Sequence, residues 1–422
     1  MATTRPVGVL RGRRPGVAWA ATLALVAAAF RLLSIGEPDW AAFVVVVVGV
    51  ALLPPVIERD PKTTMPGELL ALVTIPVVLR AVGVVSAASP FLVTAGLALL
   101  VAIALGAYTS LALTARFAVV LVVVTTMAFT AVWVVGTWVS DALLGTEFVA
   151  GQTELMWDVA AATGAGVLAG VAFELYFRFS IDAEGSGESG ASRDGSAGFD
   201  DDARRRERTD RRVNLPGDER QQRLAVNAMR GVLAFIAVVG LVRLNVGLLL
   251  NGAITLAVTF VPAFLRREYR YPMDVGLTMW VTAAVLLHAV GVLGPYREFA
   301  WYHSVAHALS ATLIAGVGYA LARAVELHSD GVDFEAGFRD AFVVLFVLAA
   351  GVAWELLEFA SGGVASVIGG RAALVQYGTS DVVNDLVFNA VGGVVIAALT
   401  TGRFEAIARS LADRVGVLTG EQ

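Results

Sequence analysis

The chain has 422 residues, of which 57% are hydrophobic and 16% charged, against roughly a quarter charged in a soluble domain, and its mean hydropathy is +0.74. That composition excludes a soluble enzyme or a secreted disulfide scaffold as the main reading, and a formal charge of −5 excludes a basic surface for nucleic acid. With no cysteine there is no thiolate nucleophile and no Cys-based metal site, so any metal must sit on His and carboxylates.

Apolar runs long enough to cross a hydrocarbon core fall at 17–35, 39–57, 66–86, 89–113, 115–140 and 153–179, and again at 223–243, 246–265, 273–293, 299–325, 338–360 and 381–401. All twelve are expected to be helices, because a backbone in lipid must satisfy its own hydrogen bonds and β-barrel alternation is absent. The fold class is therefore all-α, a polytopic membrane protein of about twelve transmembrane helices. Pro76 and Arg80 interrupt the third run. The first run reads as a retained span rather than a cleaved signal peptide, since Arg31 lies inside it and no small-x-small site follows. Between the two sets, 181–222 is rich in Gly, Ser and acids and then in Arg, with few apolar residues to offset ordering entropy. It is expected to be a disordered cytoplasmic linker between units 1–180 and 223–402, and 403–422 a cytoplasmic tail.

Orientation follows from arginine, because Lys62 is the only lysine, a bias that resembles haloarchaeal composition. Arg5, Arg11, Arg13 and Arg14, then Arg116, then Arg266, Arg267 and Arg270, then Arg403, Arg409 and Arg414 fall on one side. Glu37, Asp39, Asp141, Glu147 and Glu154 fall on the other. The positive-inside rule then puts both termini in the cytoplasm of a multi-pass cell-membrane protein.

The halves resemble each other in order. Arg80-Ala-Val-Gly-Val matches His288-Ala-Val-Gly-Val, Ala131-Val-Trp-Val lies over Val352-Ala-Trp-Glu, and Glu154 to Gly166 lies over Asp381 to Gly393. Six spans per half predicts two parallel six-helix repeats about a pseudo-two-fold axis along the membrane normal. The copies differ in polarity: Leu92 and Gly96 stand opposite His303 and His307, and Val134 and Thr137 opposite Glu355 and Glu358, leaving only Glu154 and Asp158 in the first half.

Ionisable residues inside spans cost roughly 2.5–3.5 kcal/mol each on insertion scales, so their presence points to function. The pairs are His303 with His307, Glu355 with Glu358, and Asp381 with Asp385, each on one helix face. All three fall toward the extracytoplasmic end, so six side chains are expected to converge at one depth. Four carboxylates in so dry a place cannot all be ionised without a cation; protons or a metal must neutralise them. His303, His307, Glu355, Asp381 and Asp385 form the expected metal set, with zinc, iron or manganese suited to imidazole and carboxylate. Glu358 is the expected general base, and Tyr302, Asn384 and Asn389 are read as groups that orient the ligands. Interfacial placement or interhelical packing explains the same residues without chemistry. His288 reads as a peripheral polar residue, and Gly392-Gly393 and Gly166/Gly170 as small-residue helix contacts. The Gly-rich segment from Ser361 to Ser380, with Arg371, Gln376 and Tyr377, is expected over the site as a lid, an anion-holding element or an inert connection.

At Tyr302, His307, Glu355, Glu358, Asp381, Asp385 and Gly393, with the Gln376-Tyr-Gly turn, residues from about 225 to 402 resemble the YjdF-type family of inner-membrane proteins, itself distantly VanZ-like. His303 stands where that family has Asp. The resemblance implies a site and no particular reaction. Three functions are compatible with these residues. The leading one is a metal-dependent enzyme in the lipid bilayer acting on a lipid or lipid-linked headgroup. The others are a proton- or cation-coupled transporter and a structural membrane protein.

Overall fold

The computed structural model describes residues 15–84, 89–108, 115–184, 218–269, 274–328, 336–368, 374 and 376–399. In the first half the helices are α1 (Pro15–Ser34), α2 (Pro38–Ile57), α3 (Gly67–Ala81), α4 (Ser89–Tyr108), α5 (Ala115–Leu144) and α6 (Gln152–Glu184). In the second they are α7 (Glu219–Val242), α8 (Val246–Val258), α9 (Val261–Tyr269), α10 (Val275–Gly291), α11 (Pro295–Glu298), α12 (Ala300–His328), α13 (Ala336–Ile368) and α14 (Thr379–Leu399). A helix overlies each predicted run. Among the described residues nine helical stretches are long and apolar enough to cross a membrane, with α10 and part of α4 shorter. Most of the predicted linker, and the tail 403–422, lie outside the described residues. The linker's two ends are helical, α6 running to Glu184 and α7 starting at a capping box in which Asp218 and Gln221 bond each other's backbone.

The run at 246–265 is not one helix. It breaks at Thr259 and Phe260, between α8 and α9, where Pro262 lacks the N–H that would continue the ladder. Arg230 on α7 covers the break, donating to Thr259 O at 2.6 Å and to its Oγ1 at 3.0 Å, with its guanidinium 4.2 Å from the Phe260 ring centre.

Close backbone approach holds the bundle, as expected where lipid removes the hydrophobic force between helices. A Cβ on Gly240 would stand 2.3 Å from Leu249 N and one on Gly252 2.4 Å from Ala237 N, so α7 and α8 touch main chain to main chain. Gly166 packs on Thr126 and Gly170 on Val119, joining α6 to α5. Two buried threonines on α5 bond back to their own helix, Thr126 donating to Val122 O and Thr130 to Thr126 O. Large apolar side chains such as Phe30, Leu168, Phe235 and Val367 point outward.

The two halves share six packings and differ in two, α2 on α4 in the first and α8 on α10 in the second. In the first, α1 packs on α2 and α3, α3 on α4, α4 on α5 and α6, and α5 on α6. In the second, α7 packs on α8 and α10, α10 on α12, α12 on α13 and α14, and α13 on α14. The halves meet through α5 against α13, flanked by α5 with α14 and α6 with α13. Val124, Ala128, Ala131 and Val134 face Leu348, Ala349, Val352, Val382, Val383 and Leu386 in that seam.

Candidate functional site

The polar residues of α12, α13 and α14 come together at one end of the second half. Adjacent antiparallel helices bring the start of α12, the later part of α13 and the start of α14 to a common level. Gly392 lets α14 approach α12 closely: a Cβ there would lie 2.6 Å from Ala311 Cβ and 2.8 Å from Ala308 O. One donor atom each from His303, His307 and Asp385 lies within 4.8 Å of the others, a spacing that fits a metal ion.

Asp385 sits at the centre. Its side chain has no solvent exposure, with Oδ2 3.3 Å from His307 Nε2 and Oδ1 3.5 Å from His303 Nδ1; no N–H reaches either oxygen in hydrogen-bonding geometry, and the Glu355 carboxyl lies within hydrogen-bonding reach. The two imidazoles are 4.5 Å apart and nearly perpendicular. His303 Nδ1 lies 2.7 Å from Asp381 Oδ1, while Asp381 Oδ2 accepts from Tyr377 N at 2.8 Å. Both Asp381 oxygens are therefore engaged, and Asp381 is not among the three residues whose donor atoms converge.

Glu355 is 1% exposed. Its Oε2 accepts from Gln376 Nε2 at 2.8 Å, and its Oε1 is buried with no hydrogen-bond partner. Glu358, also buried, interacts electrostatically with Glu355, Asp381 and Asp385. Among the described residues no Lys or Arg forms an ion pair with any of the four carboxylates, although Arg297 lies 5.8 Å from the Tyr377 ring. A buried cluster of this sign needs a cation or protons.

The three residues read as orienting groups take separate places. Tyr302 donates its hydroxyl to Leu287 O and ties α12 to α10. Asn384 accepts from Ser304 Oγ at 3.2 Å. Asn389 is buried against Gly351, where a Cβ would meet its Nδ2 at 2.6 Å.

His288 is not peripheral. Its ring is 5.2 Å from that of His307, its Nδ1 is 2.6 Å from the Tyr296 hydroxyl and its Nε2 is 3.0 Å from Ser310 Oγ. Tyr296, on the one-turn α11, stacks 4.4 Å from His303 and closes the wall. Burial, and then Tyr302, hold its phenol above the ordinary range. Gln376 and Tyr377 of the segment before α14 do lie on the site; Arg371 lies outside the described residues. In the first half the corresponding place is not polar. Gly96 packs directly under Val73, Val134 is buried, and Glu154 and Asp158 are exposed. At the position of His288 stands Arg80, paired with Glu37 at 2.8 Å and lying 4.3 Å from the Trp40 ring centre.

A helical bundle with so many apolar helices defines a polytopic membrane protein. Residues 225–406 match the family described as Predicted membrane protein (DUF2238), nearly the segment over which the family resemblance was read. Residues 8–64 match a family described as Domain of unknown function (DUF8268). No curated protein and no solved structure matches the chain.

Proposed function

We propose that the second half binds one divalent metal ion and uses it to hydrolyse a lipid or lipid-linked headgroup at the outer face of the cell membrane. The observation that carries this is Asp385, a fully buried carboxylate that faces two imidazoles and the Glu355 carboxyl and accepts from no N–H donor. His303, His307 and Asp385 hold the ion, with Glu355 Oε1 as a fourth donor. Zinc, iron and manganese suit this donor set. The ion supplies Lewis acidity toward water and the substrate. Asp381 fixes the orientation of His303, as a carboxylate does for a ligating imidazole. Glu358 takes one proton from water as the water oxygen bonds to the electrophilic centre of the headgroup. It returns that proton to the departing alcohol or phosphate oxygen, so water is divided between the two products.

This reading includes twelve spans with both termini in the cytoplasm, arranged as two parallel six-helix repeats. The six packings that the two halves have in common and their seam along α5 and α13 support the repeat. That same pattern favours a second reading, a cation- or proton-coupled transporter working between the halves. Restriction of the polar cluster to one half favours the enzyme.

Metal analysis of the purified full chain separates them. Stoichiometric zinc, iron or manganese that disappears in His307→Ala supports the enzyme. Metal-free protein that gives a pH-dependent electrogenic signal in liposomes rejects it in favour of transport.

A further inference from the structure

We infer that the first half positions the metal donor Glu355 through a chain of two amides, Gln152 to Gln376 to Glu355, an inference that rests on the cation-site reading above. Gln376 lies in the short stretch before α14. Its Nε2 donates to Glu355 Oε2 at 2.8 Å and to Glu355 O at 3.1 Å, using both of its protons. Its Oε1 accepts from Gln152 Nε2 at 3.0 Å, and Met156 Sδ of the first half lies 3.5 Å from the same Nε2. Gln152 is the first residue of α6, and Met156, one turn on, is fully buried.

The polarity of this chain is set by its ends. A carboxylate accepts only, so Gln376 must turn its NH2 to Glu355 and its oxygen to Gln152. Gln152, by donating to that oxygen, opposes the flipped amide in which two oxygens would face each other at Glu355. With Oε2 held in this way, Oε1 is left buried and unpartnered, as a donor atom for a cation should be. The first half has Leu92, Gly96 and Val134 where the second has His303, His307 and Glu355. Its contribution to the site is therefore the orientation of a ligand it does not itself carry.

The test is the affinity of the detergent-purified full chain for Zn2+ and Mn2+, titrated against a competing chelator. In Gln152→Glu the introduced carboxylate draws the Gln376 NH2 away from Glu355, and affinity is expected to fall by roughly 10- to 100-fold. Gln152→Leu and Gln376→Leu are expected to weaken binding, and the double variant to bind no more weakly than Gln376→Leu, because the two act in series. Melting temperatures in EDTA are expected to stay near wild type, which a merely structural contact would not allow. Gln152→Asn, one methylene too short to reach, replaces any variant that fails to fold and is expected to show the Gln152→Leu loss. Wild-type affinity in the Gln152 variants, or losses that multiply in the double variant, overturns the inference alone. A wild-type chain that binds neither ion overturns the site reading and this inference with it.

Discussion

His307 Nε2 lies 3.3 Å from Asp385 Oδ2, joining α12 to α14 across a carboxylate with no solvent exposure. The relationship is one of approach without a good hydrogen bond, since no N–H donates to either Asp385 oxygen. In a low-dielectric setting such a group is held neutral by a proton or balanced by a cation beside it.

Asp385→Asn should therefore act differently on the two forms of the protein. Without metal a proton neutralises the carboxyl, so the substitution removes no charge and is expected to leave stability within about 0.5 kcal/mol of wild type. With metal present it removes a ligand, and the stabilisation conferred by saturating metal is expected to disappear. Thermal unfolding in detergent, with EDTA and with excess Zn2+, reads both.

Gly392 and Gly393 are adjacent but unequal. A methyl on Gly392 drives into Ala311 and the Ala308 carbonyl, whereas one on Gly393 meets nothing nearer than 3.4 Å. Gly392→Ala is expected to cost about 1–3 kcal/mol by forcing α12 and α14 apart, and to weaken metal binding because His307 and Asp385 lie on those two helices. Gly393→Ala is expected to stay within about 0.5 kcal/mol of wild type. Melting temperature and metal affinity of the two variants check this.

Glu154 and Asp158 align with Asp381 and Asp385 but are exposed, with Leu92, Gly96, Val134 and Thr137 at the positions aligned with the other four. The double variant Glu154→Gln, Asp158→Asn is expected to keep the wild-type metal stoichiometry and to shift stability by no more than about 0.5 kcal/mol. Metal analysis beside the wild type is the measurement.

Tyr296 lies between the spans, its phenol raised above the ordinary value of 10 by burial first and Tyr302 next. Below about pH 10 it is neutral folded or unfolded and contributes no pH dependence. Above that pH the unfolded chain ionises and the folded chain does not, so stability falls. Tyr296→Phe is expected to flatten that alkaline fall while costing about 0.5–1.5 kcal/mol at neutral pH for the lost bond to His288. Melting temperatures from pH 8 to pH 11 test both effects.

The helices were legible because apolar runs bounded by Pro, Gly and charge have few alternatives in lipid. The convergence of His303, His307, Glu355, Glu358, Asp381 and Asp385 was legible too, since charge inside a span is costly and chain order put all six toward one end. The break at Thr259 and Phe260 had a signal in Pro262, outweighed by the length of the apolar run. His288 was misplaced because Arg80 stands opposite it, and Arg80 makes a separate pair with Glu37. Tyr296 was harder: it lies in a connection where polar residues cost little, so neither type nor position marked it, while Gln376 was legible only as part of the segment over the site and not as the partner of Glu355. Their roles come from distances of 2.6 Å to His288 and 2.8 Å to Glu355, which no pattern in the chain reports.

If two imidazoles and buried carboxylates hold a divalent metal, X-ray absorption at the metal edge of the purified, zinc-loaded full chain will show two nitrogen scatterers at about 2.0–2.1 Å with carboxylate oxygens completing the shell. Both nitrogens will be lost in the His303→Ala, His307→Ala variant. A shell of oxygen alone, or a spectrum unchanged in that double variant, would rule out a metal on these imidazoles.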